Sequence, residues 1–259
     1  MTDRDFARRW QRRFTERGAR LDDDAGIAGW TETGLAARLR QFTRLWRAAA
    51  PAGTDWLDLG CGAGSYTRLL HGEGRRVVGL DYALPSLGKA QQRSPGGIAW
   101  VAGDAQRLPF ADAAFDGVLC FGVMQALPGS DDALAEIRRV LRPGGEAWVD
   151  ALNAGCLPTR IQEWRRRRAG RAPHLRYETR EALRGSARRA GLEVRAEHWL
   201  PLVPGRLSVC QGPLESRPAQ VVLRGLPWVG ELLSHSFLLR IRLPEPGPRA
   251  LPTALKTGD

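Results

Sequence analysis

Three glycines at alternate positions, Gly60, Gly62 and Gly64, follow the apolar run WLDL and precede a helical stretch at residues 66–71. Glycine lets the chain turn sharply and brings its backbone close to a ligand, while the start of the helix offers unpaired N–H donors. The spacing is not the dinucleotide fingerprint G-x-G-x-x-G, whose third glycine would fall at Ser65. The loop therefore suits a ligand that does not present a pyrophosphate. Asp81 ends the next apolar segment, 21 residues after Gly60. A carboxylate there can accept hydrogen bonds from both hydroxyls of a ribose. Asp104 follows the third segment in the same position, placed to accept from an exocyclic amine or to serve as a turn residue.

These residues need a scaffold that presents them side by side. WLDL, RRVVGLDYA, IAWVAGD (98–104), FDGVLCF (115–121) and EAWVDAL read as five strands separated by helical segments. Ser130 is placed to cap one helix, with Asp131 and Asp132 in its first turn and Pro143-Gly144-Gly145 beyond its end. Strands alternating with helices at this spacing predict an α/β fold, a parallel sheet covered on both faces. Ligands of such sheets bind at the carboxyl ends of the strands. Further on, the pattern predicts a helix from about Thr179 to Gly191, a strand at LEVRAEHW and a last strand at SFLLRIRL (236–243). Residues 200–230, with five prolines, read as an irregular connection, and residues 244–259 as a loose tail.

Ahead of the sheet, Phe6, Trp10 and Phe14 form one helical stripe and Leu35, Leu39, Phe42 and Trp46 another. DDDAGIAG separates them as a polar break. Residues 1–50 are thus expected to form a helical cap, residues 51–152 the ligand-binding core, and residues 153–243 an acceptor-side insertion with the final strands. The N-terminus, MTDRDFARRWQRRF, lacks the apolar stretch of a secretory signal, and no run approaches the ~18 apolar residues of a membrane span, so a cytoplasmic location is the expectation. Four cysteines, Cys61, Cys120, Cys156 and Cys210, lie far apart without a C-x-x-C pair, so neither disulfides nor a metal site is expected. The net charge of +11 sits mainly in residues 153–259, with 19 basic against 9 acidic side chains, and all but Lys89 and Lys256 of the basic residues are arginine.

At this point the sequence resembles the class I S-adenosylmethionine-dependent methyltransferases of the small-molecule type. LDLGCGAGS is similar to their first motif, GLDYA to their second and GDAQRLPF to the segment beside the adenine; FDGVLC and EIRRVLRPGGEAWVD are similar to the fourth- and fifth-strand motifs. The resemblance covers residues 55–152 tightly. It implies a Rossmann-like, seven-stranded, mostly parallel sheet plus the N-terminal cap, with S-adenosylmethionine as cofactor and S-adenosylhomocysteine as product. It further implies Gly60, Gly62 and Gly64 against the methionine part, Asp58 holding the amino group through the loop, Asp81 on the ribose, and Asp104 and Ala105 on the adenine with Leu108 nearby. Phe121 through Leu127 would line the transfer pocket. Where many members carry a histidine in that segment, this chain has Met124 and Gln125.

A base for the acceptor could come from His174, Tyr177, His198 or His235, each of which also suits a surface or packing role. Arg160, Arg165–Arg168, Arg171 and Arg176 could neutralise a phosphate or carboxylate on the acceptor, or be a solvated face. A small-molecule acceptor, anionic or lipid-linked, is the first reading, and Arg, Trp and Leu mixed in VVLRGLPWVGELL leave peripheral membrane contact open. A nucleic-acid methyltransferase is the alternative, because basic surfaces attract phosphate. It lacks support from a D/N-P-P-Y/F/W motif, a Pro-Cys dipeptide or an RNA-binding module. A catalytically inactive cofactor-binding module is the third.

Overall fold

The computed structural model describes residues 3–171, 175–201 and 225–245, together with residues 211–214, 216, 218, 219 and 221. Seven described strands form one sheet in the order β3-β2-β1-β4-β5-β7-β6: β1 (Asp55–Leu59), β2 (Arg76–Asp81), β3 (Ala99–Ala102), β4 (Phe115–Cys120), β5 (Leu141–Leu152), β6 (Glu193–Leu200) and β7 (Ser236–Arg242). The first five run parallel, and β7 is antiparallel to both β5 and β6. The α/β architecture expected from the alternating pattern is therefore the observed one. Chain direction across the sheet reverses between β1 and β4, the switch point where open α/β sheets leave a crevice.

Strand alternation divides the core into two layers. Leu57, Leu59, Val118, Val149 and Leu239 face α6 (Asp131–Val140) and α8 (Arg180–Arg189) through Leu134, Ile137, Leu183 and Ala187. Trp56, Leu119, Trp148 and Leu238 point the other way, against Phe42 and Trp46 of α3 (Glu32–Ala49) and Leu70 of α4 (Ser65–Gly72). Gly117 makes room for that layer, since a Cβ there would lie 2.4 Å from the Trp56 indole.

Several local expectations are corrected. The polar break near Asp22 contains a short helix, α2 (Asp24–Ala28), because the Asp23 carboxylate caps the Gly26 amide and Gly29 closes it at φ +84°. Ser130 does not cap α6 with its side chain: its hydroxyl donates to Glu178 at 2.8 Å instead. β5 starts at Leu141, five residues before the expected EAWVDAL, and a bulge opposite Phe115 and Gly117 absorbs the extra length. The helix expected from about Thr179 to Gly191 is α8 (Arg180–Arg189); the Thr179 hydroxyl caps it by accepting from the Ala182 amide, and Gly191 follows its end at φ +76°. The arginine-rich stretch is helical, α7 (Leu157–Arg168), and the proline-rich connection holds α9 (Gln211–Leu214) and α10 (Pro227–Leu233). α1 (Asp3–Arg20) and α5 (Leu84–Arg93) complete the set, and Gly18 lets them touch, since a Cβ there would meet the Ser86 hydroxyl at 2.4 Å.

Candidate functional site

Above the carboxyl ends of β1, β2, β3 and β4 lies a cavity of about 1110 Å³, part of it open to solvent. Its floor is Gly60 to Ala63, Asp81, Asp104, Ala105 and Phe121 to Val123; its roof is Trp10, Phe14, Ile27, Trp30, Leu35 and Arg38 from the first three helices and the turn between the second and third. Both halves follow from the sequence pattern. Parallel strands end on one edge, and the aromatic stripe of α1 must cover something apolar, with the Trp10 and Phe14 rings 5.2 Å apart and tilted by 32°.

The three glycines do different work. A Cβ at Gly60 would strike Val123 at 2.2 Å, and at Gly64 it would strike Trp100 at 2.7 Å, so both are demanded by packing. At Gly62, φ +52°, a Cβ would meet nothing within 4 Å. Gly60 and Gly62 border the cavity, whereas Gly64 lies behind it. Asp81 ties the loop down: its carboxylate accepts from the Gly62 amide at 2.9 Å and the Ala83 amide at 2.8 Å. Burial raises its pKa, those backbone bonds opposing. A carboxylate has about four acceptor positions, so these backbone bonds leave capacity for a ligand. Asp104 is exposed at the rim, its Oδ1 accepting from the Gln106 amide at 2.9 Å.

Asp58 stands outside the cavity. It shares the Trp56 face of β1 and is buried at 2 %, accepting from the Thr67 hydroxyl at 2.5 Å and so bracing α4 against β1. Burial first, and Asp81 second, push its pKa up to about 7 against the Thr67 bonds. The unfolded chain ionises near 3.8, so the domain loses stability as the pH rises from about 4 to 7. Asp58→Asn keeps an acceptor for Thr67 without the charge. Its melting temperature, relative to wild type, is expected to rise by several degrees between pH 5 and pH 8; a difference independent of pH would contradict this.

Polar contacts fasten the roof. The Tyr82 hydroxyl donates to the Trp10 carbonyl at 3.0 Å, and Lys89 donates to the Leu21 carbonyl at 2.6 Å. Asp24 of α2 accepts from Ser65 at 2.6 Å, from Arg93 at 3.0 Å and from Arg68. Sequence reading also missed a buried pair beneath the roof. Arg38 bonds Asp150 and donates to Ser236 at 2.8 Å; Asp150 in turn accepts from the Gly122 amide at 2.7 Å. Two signals were available: Arg38 occupies the Leu35–Phe42 face of an apolar helix, and Asp150 interrupts the apolar run of β5.

A second cavity shares Trp10, Phe14, Ala28 and Trp30 with the first, and continues past Gln125, Thr159 and His235. Of the residues considered as a base, His235 borders it. Burial and the Arg38 charge lower its pKa to about 4, which keeps the ring neutral near pH 7, and its Nδ1 lies 3.3 Å from the Thr159 hydroxyl. Tyr177 and His198 border neither cavity, burial pushes the Tyr177 hydroxyl up to about 12, and His198 stacks on Trp148 across the sheet. His174 lies outside the described residues. Met124 is fully buried in the core and borders neither cavity, while Gln125 borders the second. Arg165 and Arg168 are exposed on α7 and border neither; Arg168 lies over Trp164. Arg176 is occupied internally, donating to the Met124 and Leu127 carbonyls and pairing with Glu178 at 3.1 Å. Among the described residues no group of three His, Cys, Asp or Glu is placed to hold a metal ion, and no helix is long and apolar enough to cross a membrane.

Comparison with known proteins agrees with the geometry. The family model for the methyltransferase domain matches residues 57–149. The chain is 39% identical over 108 residues to malonyl-[acyl-carrier protein] O-methyltransferase of Pseudescherichia vulneris, covering 42% of this chain and 43% of that protein. It is 41% identical over 113 residues to demethylmenaquinone methyltransferase of Beutenbergia cavernae, covering 41% of this chain and 46% of that one. The matches thus span less than half the length of either relative. An S-adenosylmethionine dependent methyltransferase from Mesorhizobium loti shares the fold, with a TM-score of 0.56 at 16% identity over 78% of this chain and 97% of the other. Residues 57–149 thus match the methyltransferase domain family, and the strand order of the sheet is that of the class I methyltransferase fold.

Proposed function

We propose that this chain transfers a methyl group from S-adenosylmethionine to a small-molecule acceptor. The observation that carries this reading is that Gly60, Gly62, Asp81 and Ala105, from three successive strand ends, border one roofed cavity. The residues fit the cofactor: Gly62 leaves open space where a side chain would intrude, and Asp81 retains acceptor capacity for ribose hydroxyls. Asp104 and Ala105 take the adenine side, and Phe121 the side toward the acceptor. Asp58 acts through Thr67 and the loop.

When bound, the cofactor supplies an already activated sulfonium methyl group. The chain therefore contributes orientation and exclusion of water. The aromatic roof and its polar fastenings to Tyr82, Lys89 and Asp24 serve both ends. For an acceptor that must lose a proton, His235 is the neutral imidazole beside the second cavity.

The exposed arginines of α7 favour nucleic acid as the second reading. Labelled S-adenosylmethionine incubated with the protein and an extract of cells lacking it separates the readings. Label is expected in the soluble or lipid fraction. Label in nucleic acid would replace the small-molecule reading, and no label despite cofactor binding would leave an inactive module.

A further inference from the structure

The second cavity carries features that the cofactor site does not explain. Arg13 and Arg17, one turn apart on α1, both border it. Neither has an ion pair with a carboxylate among the described residues; Arg13 lies 4.8 Å from the Trp10 ring centroid, and Asp23 acts on Arg17 only at longer range. Burial, and then the neighbouring Arg13 charge, lower the Arg17 pKa, with Asp23 opposing. Gln125 borders the same space at 5% exposure, and its side-chain oxygen has no hydrogen-bond partner among the described residues. A buried amide oxygen left unpaired costs about 1–3 kcal/mol, which a donor on a ligand would recover. The rest of the wall combines apolar Trp10, Phe14, Trp30, Leu152, Pro158 and Leu233 with the polar Thr31, Thr159, Gln162 and His235.

We propose that this second cavity is the acceptor site, and that it selects an apolar molecule carrying an anionic group, with Arg13 and Arg17 holding the anion and Gln125 accepting from a donor on the body. The inference rests on the methyl-transfer reading for the ligand's role as acceptor. The shared Trp10, Phe14, Ala28 and Trp30 place the site next to the cofactor cavity, where an acceptor has to be. The acceptor arginines are thus on α1, not on the arginine run of α7.

The test uses the full chain and three probes of one shape: 1-naphthoate, 1-naphthyl phosphate and neutral 1-naphthalenemethanol, each titrated calorimetrically. S-adenosylhomocysteine is titrated separately. At least one anionic probe is expected to bind about tenfold or more tightly than the alcohol, and which of the two does so separates carboxylate from phosphate recognition. Arg13→Gln with Arg17→Gln is expected to abolish the preference and leave the affinity for S-adenosylhomocysteine within about twofold. Arg17→Glu, a second variant, is expected to reverse it. Equal binding of all three probes by wild type, or a preference surviving in both variants, would overturn the proposal. Failure of S-adenosylhomocysteine to bind would instead overturn the cofactor reading, and with it the acceptor role, while the probes still decide whether the anion site exists.

Discussion

Asp81→Ala is expected to weaken S-adenosylhomocysteine binding about 100-fold. Hydrogen bonds to a charged group are worth roughly 1.5–3 kcal/mol each, and 1.36 kcal/mol is a factor of ten. Two ribose hydroxyls lost together therefore cost about two orders of magnitude at the lower end of that range. Asp81 also fixes the loop through the Gly62 and Ala83 amides, so part of the effect is positional. Asp81→Asn keeps one acceptor oxygen and the same volume, and is expected to lose only about tenfold. Calorimetry showing unchanged affinity in Asp81→Ala would remove the ribose assignment.

The second large effect is on stability. Arg38 and Asp150 have side chains 3% and 1% exposed, and no solvent is at hand to take up either charge alone. Arg38→Met leaves Asp150 ionised among Trp148, Leu238 and Phe42, where an uncompensated buried charge costs about 3–5 kcal/mol. For a chain of this size that is a drop in Tm of roughly 10 °C. Adding Asp150→Asn removes the stranded charge while preserving an acceptor for the Gly122 amide. The double variant is therefore expected to recover much of the loss, with a coupling of about 2 kcal/mol or more in urea unfolding. Strict additivity of the two single changes would show that the ions do not depend on each other. Because Gly122 borders the cofactor cavity, the single variant is also expected to loosen that wall.

The sheet and its strand ends were legible because each rests on local pattern: apolar runs of strand length, punctuated by Gly60–Gly64, Asp81 and Asp104. The roof was half legible. The stripe of Phe6, Trp10 and Phe14 announced a buried face, but nothing local says that its partner is the cavity over β1 and β2. Arg38 and Asp150 were overlooked because each is unremarkable alone, and 112 positions separate them in the chain. Asp58 shows the converse case. Its place beside the glycine loop suggested a role exerted through the loop, and strand alternation turns its side chain to the Trp56 face and onto Thr67, a partner that the local pattern does not name. The arginines were ambiguous for a related reason. Charge is visible in sequence but its neutralisation is not: Arg176 is spent on carbonyls and Glu178, whereas Arg13 and Arg17, in a less basic stretch, face a cavity.

The central claim is that the cavity between the strand ends and the first three helices holds the cofactor. Amide hydrogen exchange with and without S-adenosylhomocysteine tests it directly, since it reads the floor and the roof in one measurement. The account predicts slower exchange at residues 60–66, 81–83 and 104–106 and across α1 and α2, with α7 and β6 unchanged. Binding without protection at those segments, or protection centred on α7, would contradict it.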